Sequence, residues 1–272
     1  MRLKVETITP SKAKKWLEEH NTKNRPISVS HVAFLRKMIR NDEWEEENGD
    51  TIKFHKDGWL IDGQHRLQAI VETGRSLRCA VARDINGRAF DTVDTGRPRH
   101  LKDMLARDGE MYSTHLATAI RYVHVFSSKT EAPTSLLKTK LTIQEGYSIL
   151  DKSTGLRTSL KTMFAWGAPK LGSCGLLTGA YQACRGLSKD WAEEFWEAVV
   201  TGVGLEDTEE PAYKLRDRLL TNKAAMPHER LDRVNTVALI IKAWNCYAQG
   251  RVMTNCRITG NDAKAHLMEV EE

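Results

Sequence analysis

Residues 59–69 read Trp59-Leu60-Ile61-Asp62-Gly63-Gln64-His65-Arg66-Leu67-Gln68-Ala69. An apolar run typical of a strand comes first, a glycine that permits a tight turn follows, and a helical pattern of apolar residues begins at Leu67. The stretch therefore predicts a strand, a turn and a helix. The free N–H groups of the first helical turn and the positive end of the helix dipole then meet at one point, which favours an anion.

The side chains around this turn suit phosphate chemistry. Arg66 offers a planar, permanently charged fork that matches phosphate oxygens. His65 can donate a hydrogen bond or titrate near neutral pH. Asp62 can hold Mg²⁺, act as a base, or cap the helix. In the structural alternative, which stays open, Asp62 is the cap, Gly63 the turn residue and Arg66 one half of a surface ion pair.

The surrounding sequence predicts a small α/β domain. Residues 51–54 and 59–61 are β-rich runs on either side of an Asp-Gly turn, which indicates a hairpin. Residues 3–8 and 77–82 are further strand candidates. Helices are expected to start at Thr9-Pro10-Ser11 and at Ser28 or Ser30, and the helix from residue 64 is expected to stop at Gly74.

Beyond residue 110 the strand signals nearly vanish and long amphipathic patterns take over. The fold class we expect is α+β, with a small α/β phosphate-binding domain over residues 1–108 and an all-helical domain over residues 109–272. The helices expected in the second domain are 112–126, 142–150, 176–187, 191–200, 212–220 and 231–248. Trp191, Trp196 and Trp244 are expected in its core, and residues 127–135 are expected to form a loop.

Composition narrows the class of protein. Hydrophobic residues make up 40% of the chain and charged residues 28%, which is ordinary for a globular protein. No apolar run reaches the ~20 residues that span a bilayer, and the N-terminus lacks the apolar core of a signal peptide. We therefore expect a cytoplasmic protein with no membrane partner. The five cysteines are odd in number and widely spaced, so no zinc site is expected.

A second polar cluster spans residues 91–99, Asp-Thr-Val-Asp-Thr-Gly-Arg-Pro-Arg. It follows the last expected strand, so it could fold back beside Asp62. In that reading Asp94 is a catalytic base or metal ligand, and Arg97 and Arg99 bind substrate phosphates. In the equally open alternative, the segment is an interdomain linker. Arg25, which the following proline restricts to an extended conformation, is a further candidate for the pocket.

The chain resembles the ParB/sulfiredoxin superfamily, and most closely the phage-type ParB-like proteins that carry a D-G-Q-H-R motif. The resemblance covers roughly residues 1–105. Its other features, in the expected order, are Asn24-Arg25-Pro26, His31-Val32-Ala33, Trp44, the strand Ile52-Lys53-Phe54, and Leu60-Ile61 before the motif. In this superfamily the loop and helix start hold a nucleoside triphosphate, which is ATP or CTP.

The resemblance implies which residues bind the nucleotide. Gly63, His65 and Arg66 match the G-x-H-R core of the loop, and Gln64 and Arg25 lie beside it. Gln64 stands where sulfiredoxins have their catalytic cysteine, so cysteine-sulfinate reduction is not expected. The helix-turn-helix and dimerisation domain of the segregation ParBs is not evident downstream.

The function expected from these observations is nucleotide binding by a ParB-like protein that acts on or with DNA. The expected chemistry is phosphoryl transfer or phosphodiester or nucleotide hydrolysis, with Mg²⁺ held by Asp62. Asp62, His65, Arg66 and Asp94 are the catalytic candidates, in phage DNA processing or modification in the host cytoplasm. The net charge of +5 permits DNA binding. Non-catalytic DNA binding, with or without a nucleotide switch, small-molecule kinase activity and homodimer formation remain alternatives.

Overall fold

The computed structural model describes residues 1–46, 48–86 and 99–270. The chain divides into two compact units, which we call unit 1 (Met1–Pro98) and unit 2 (Arg99–Glu272). Unit 1 contains a four-stranded sheet with helices, and the described part of unit 2 is helical, so the α+β fold class is confirmed. In the described part of the chain, no helix combines the length and the apolar character needed to cross a membrane.

The sheet of unit 1 has the strand order β1-β4-β2-β3. The strands are β1 (Arg2–Ile8), β2 (Thr51–His55), β3 (Leu60–Asp62) and β4 (Leu77–Ile85). Strands β4 and β2 run parallel, and the two outer pairings are antiparallel. The predicted hairpin is confirmed, because β2 and β3 pair with Lys53 opposite Asp62 and Phe54 opposite Leu60.

Three helices pack with this sheet around one core. They are α1 (Pro10–His20), α2 (Val29–Arg40) and α3 (Gln64–Thr73). The side chains of Thr9 and Ser28 accept hydrogen bonds from the first turns of α1 and α2, as expected of N-caps. The core they share with the strands includes Ile8, Ala13, Trp16, Val32, Ile39, Ile52, Phe54, Leu60, Leu67, Ile70 and Val81.

The regular elements of unit 2, within the described residues, are helices. These are α4 (Leu101–Arg107), α5 (Ser113–Phe126), α6 (Pro133–Leu136), α7 (Ile143–Lys152), α8 (Leu156–Trp166), α9 (Cys174–Arg185), α10 (Lys189–Thr201), α11 (Pro211–Ala224) and α12 (Arg233–Ala248). Helix α8 was not predicted, and the short α6 begins inside the predicted loop at Pro133. Proline suits that first helical position, because its missing N–H would have no partner there.

The core of unit 2 gathers around α5 and α9. Gly175 and Gly179 of α9 lie directly against the backbone of α5, so a Cβ at Gly179 would stand 2.9 Å from the carbonyl oxygen of Ala119. Trp196 and Trp244 are fully buried, as predicted. The prediction that Trp191 lies in the core is wrong. Trp191, in the first turn of α10, is 38% exposed, and its ring contacts the ring of Tyr247 on α12 edge-on.

Candidate site at the start of helix α3

Gly63 sets the geometry of the turn between β3 and α3. Its φ of +107° is a conformation that residues with a Cβ rarely adopt. A Cβ there would also lie 3.1 Å from Cγ1 of the buried Ile52 in β2. The helix therefore starts tight against the sheet, and its first internal bond runs from Leu67 N–H to Gly63 C=O at 2.9 Å. The preceding N–H groups of this turn have no carbonyl of the same helix to donate to.

Gln64 ties the turn to the loop between α1 and α2. Its side chain is buried, donates to the carbonyl oxygen of Arg25 at 2.9 Å and accepts from Asn21 Nδ2 at 3.1 Å. Asn24 extends this network by donating to Leu60 C=O at 2.8 Å. Gln64, which the resemblance predicts to bind the nucleotide, therefore fixes the position of the loop that carries Arg25.

His65 links α3 to the start of α2. The backbone N–H of Ser28, the N-cap of α2, donates to His65 Nε2 at 3.0 Å. The neutral imidazole in this arrangement carries its proton on Nδ1. The ring of His31 approaches edge-on, with ring centroids 5.1 Å apart. The N-termini of α2 and α3 are thereby brought together.

Asp62 does not cap the helix, since Gly63 takes that position without a side-chain bond. Its Oδ2 instead forms an ion pair with Lys53 Nζ at 2.9 Å, in a side chain that is 19% exposed. Within the described ranges, no group of three or more His, Cys, Asp or Glu side chains is arranged to hold a metal ion. One carboxylate suits a magnesium ion that arrives with phosphate oxygens, which supply the remaining ligands.

Arg66 is the unusual member of the site. Its side chain is only 11% exposed, and its guanidinium carbon lies 5.4 Å from the centroid of the Trp44 ring. Nη2 lies 3.3 Å from Oδ2 of Asp50, a carboxylate that is 60% exposed. Nε and Nη1 are buried and have no hydrogen-bond partner. The surface ion pair of the structural alternative is therefore incomplete, and most donors of a buried cation lack an acceptor.

Arg66 also lies near the buried thiol of Cys79 on β4. Burial raises the pKa of Cys79, and the charge of Arg66 opposes that rise. In unit 2, burial raises the pKa of the Cys184 thiol to about 12. All five cysteines carry free thiols, and Cys79, Cys174 and Cys184 are buried.

The other predicted site residues divide into two groups. Arg25 is exposed, and its backbone carbonyl, held by Gln64, fixes its position near α3. Arg99 is exposed and lies just before α4 in unit 2. Asp94 and Arg97 lie outside the described residues, so the expectation that they approach Asp62 stays a prediction.

Sequence reasoning missed three residues that complete the site. Asp50, Trp44 and Lys53 are not among the predicted site residues. Asp50 precedes β2 and Lys53 lies within it, and both meet the turn through strand pairing and the packing of α3. The only local signal was the acidic and aromatic character of residues 43–50.

Comparison of the chain with protein-family models, with curated proteins and with solved structures finds no match.

Proposed function

We propose that unit 1 binds the phosphate groups of a nucleoside triphosphate at the start of α3. The observation that carries this proposal is the buried Arg66, whose Nε and Nη1 have no acceptor beside a helix N-terminus. A buried polar group without a partner is costly, and native sites retain one where a ligand completes it. A phosphate oxygen would satisfy these donors and the N–H groups of the first turn together.

The sequence resemblance extends the proposal to chemistry on or beside DNA. Phosphoryl transfer or hydrolysis needs positive groups around the reacting phosphate, and Arg66 with the first-turn amides supplies them. Magnesium would enter with the nucleotide, with Asp62 as its protein carboxylate and Lys53 balancing the charge of that carboxylate.

Calorimetry with ATP, CTP, GTP and UTP in the presence of Mg²⁺ tests the binding step. We expect one nucleotide to bind at micromolar concentration and Arg66→Ala to weaken that binding by about 100-fold, which corresponds to about 2.7 kcal/mol. Arg36→Ala is the matched control, because the side chain of Arg36 on α2 is 37% exposed and forms an ion pair with Glu72 on α3. It should bind as the wild type does.

Binding of no nucleotide to the folded wild type would overturn the proposal, and so would equal losses in the Arg66 and Arg36 variants. Phosphate release measured with and without DNA then separates the reactions. Turnover that requires DNA supports action on DNA, and turnover that ignores it supports small-molecule phosphorylation. Binding without turnover supports a nucleotide switch.

A second candidate function, binding of single-stranded nucleic acid, is favoured by the loop before α2. Lys23 Nζ lies 4.9 Å from the centroid of the Trp59 ring, and the exposed Arg25 follows in the same loop. Aromatic rings beside cations stack bases and neutralise phosphates. Affinity for an oligonucleotide that falls steeply with salt, and falls further in Trp59→Ala, would support it.

A further inference from the structure

Arg66 is held from one side only. Among the described residues, Asp50 is the only carboxylate that forms an ion pair with it, and the 3.3 Å contact has no accompanying hydrogen bond. Most N–H donors of a guanidinium group lie on Nε and Nη1, which are the two nitrogen atoms without a partner. The weak contact to Asp50 therefore leaves a strongly donating group largely unsatisfied.

Trp44, which lies beside Arg66, also has a buried donor without an acceptor. Its ring lies 5.4 Å from the guanidinium carbon, and its indole Nε1 is also buried without a hydrogen-bond partner. An indole N–H can only donate. Two neighbouring side chains thus present buried donors, and among the described residues no acceptor lies within hydrogen-bond distance of these donors.

Acidic groups border this cluster. Asp50 follows the left-handed Gly49 directly before β2, and its carboxylate is 60% exposed, so it lies on the solvent side of the guanidinium. Glu43, next to Trp44, keeps its Oε2 buried without a donor in reach. The exposed carboxylate of Asp50 is well hydrated, and its 3.3 Å contact with Arg66 lacks a hydrogen bond. A ligand can therefore displace Asp50 at little cost.

We propose that Arg66 and Trp44 bind an oxyanion and that the carboxylate of Asp50 competes with this oxyanion for Arg66. In the resting protein the Asp50 carboxylate holds the guanidinium from the solvent side. An arriving phosphate oxygen takes over Arg66, accepts a hydrogen bond from Trp44 Nε1, and releases Asp50 to water. The inference rests on the proposed phosphate site and adds its regulation: the affinity of the site is set by exchange against a carboxylate of the same chain.

The exchange predicts opposite effects for two substitutions near Arg66. Asp50→Asn removes the competing charge and should tighten binding about two- to fivefold. Trp44→Phe keeps an aromatic ring beside the guanidinium but removes the N–H, and should weaken binding about three- to tenfold. Glu45→Gln is the matched control for charge, because Glu45 is an exposed carboxylate of the same loop and is not the ion-pair partner of Arg66.

The test is calorimetric titration of the full chain with inorganic tripolyphosphate and, separately, with nucleoside triphosphates. Urea unfolding of each variant first establishes that it is folded. Tighter binding in Asp50→Asn, unchanged binding in Glu45→Gln and weaker binding in Trp44→Phe support the proposal. Equal affinities in wild type and Asp50→Asn, or equal gains in Asp50→Asn and Glu45→Gln, overturn it.

Using both ligands separates this inference from the proposed function. If nucleotides bind the wild type and Asp50→Asn equally, the competitor role falls and the nucleotide site stands. If tripolyphosphate binds with the predicted order of variants while no nucleotide binds, the competitor role stands and the nucleotide function falls. If neither ligand binds any folded variant, both fall, and buried water is what satisfies Arg66.

Discussion

Two helix ends, one in each unit, combine a left-handed glycine with an arginine but in opposite electrostatic settings. At the start of α3 in unit 1, Gly63 with φ +107° precedes the buried Arg66. At the end of α10 in unit 2, Gly202 has a φ of +84°, and a Cβ at this position would lie 3.1 Å from Nε of Arg216. The first is the positive end of a helix and the second is a negative end.

The difference decides whether the arginine is satisfied by its own chain. Arg216 Nη1 donates to the carbonyl oxygens of Val199 and Val200 at 2.9 and 2.6 Å, since the last carbonyls of a helix lack internal partners. At the start of α3 the free backbone groups are donors, so Arg66 meets none that can accept. An arginine at a helix C-terminus stabilises the fold, whereas one buried at an N-terminus indicates a place for an anion.

The largest effect on stability is expected at the glycines. In Gly63→Ala the new Cβ meets buried Ile52 and the backbone is strained, so unfolding should become easier by roughly 3–4 kcal/mol. In Gly202→Ala the new Cβ meets only the end of a long side chain, which can move, and the cost should be about 1–2 kcal/mol. Urea denaturation measures both. Equal costs would mean that the turn before α3 is no more constrained than an ordinary helix end.

Replacing the arginines by methionine tests the comparison directly. Arg216→Met should destabilise the protein by about 1–3 kcal/mol, because two helix-end carbonyls lose their donor. Arg66→Met should change the free energy of unfolding by less than about 0.5 kcal/mol or increase it, because a poorly paired buried charge is removed. The same urea titrations measure both values. If the two substitutions cost the same, Arg66 is a structural residue and the comparison fails.

The local parts of this contrast could be predicted from sequence. The Asp-Gly turn, the alternating runs of the hairpin and the break at Gly63 are signals within a few residues of one another, and each appears in the fold. Helix α8 also had such a signal, because Leu156, Leu160 and Met163 recur at helical spacing and are buried. This helix was nevertheless not among those predicted for the second domain.

The partners of the site residues could not be predicted in this way. Gln64 bonds to Asn21, which is 43 residues away, and Arg66 meets Asp50 and Trp44 through the packing of α3. Such pairings depend on which strand and which loop the fold brings to the helix. The sequence therefore indicated the turn between β3 and α3, but it did not indicate that Arg66 would be largely buried with most of its donors unsatisfied.

A third arginine shows what Arg66 would resemble with an acceptor in place. Arg83 on β4 donates from both Nη atoms to Glu6 on β1, with Nη2 at 3.1 Å, and Lys12 Nζ adds a contact of 2.8 Å. The Glu6 side chain is 20% exposed. Hydrogen bonding to Arg83, which outweighs the opposing effect of burial and is helped by Lys12, lowers the pKa of Glu6 from 4.5 to about 2.

This lowered pKa fixes the sign of the smallest effect that we predict. A carboxyl group with a depressed pKa in the folded state binds its proton more readily when unfolded, so its stabilisation is complete above pH 4.5 and is lost as the pH falls towards 2. Allowing for solvent screening, Glu6 should account for roughly 1–2 kcal/mol. The difference in unfolding free energy between wild type and Glu6→Gln should therefore shrink across that window.

Glu18→Gln, which removes an exposed partner 3.9 Å from Lys14, is the matched control and should differ little from wild type at any pH. A gap between wild type and Glu6→Gln that persists at pH 2 would mean that Arg83 is held by packing on Trp16 and Phe54. An arginine packed against aromatic rings would then need no acceptor, and the case for a ligand at Arg66 would weaken with it.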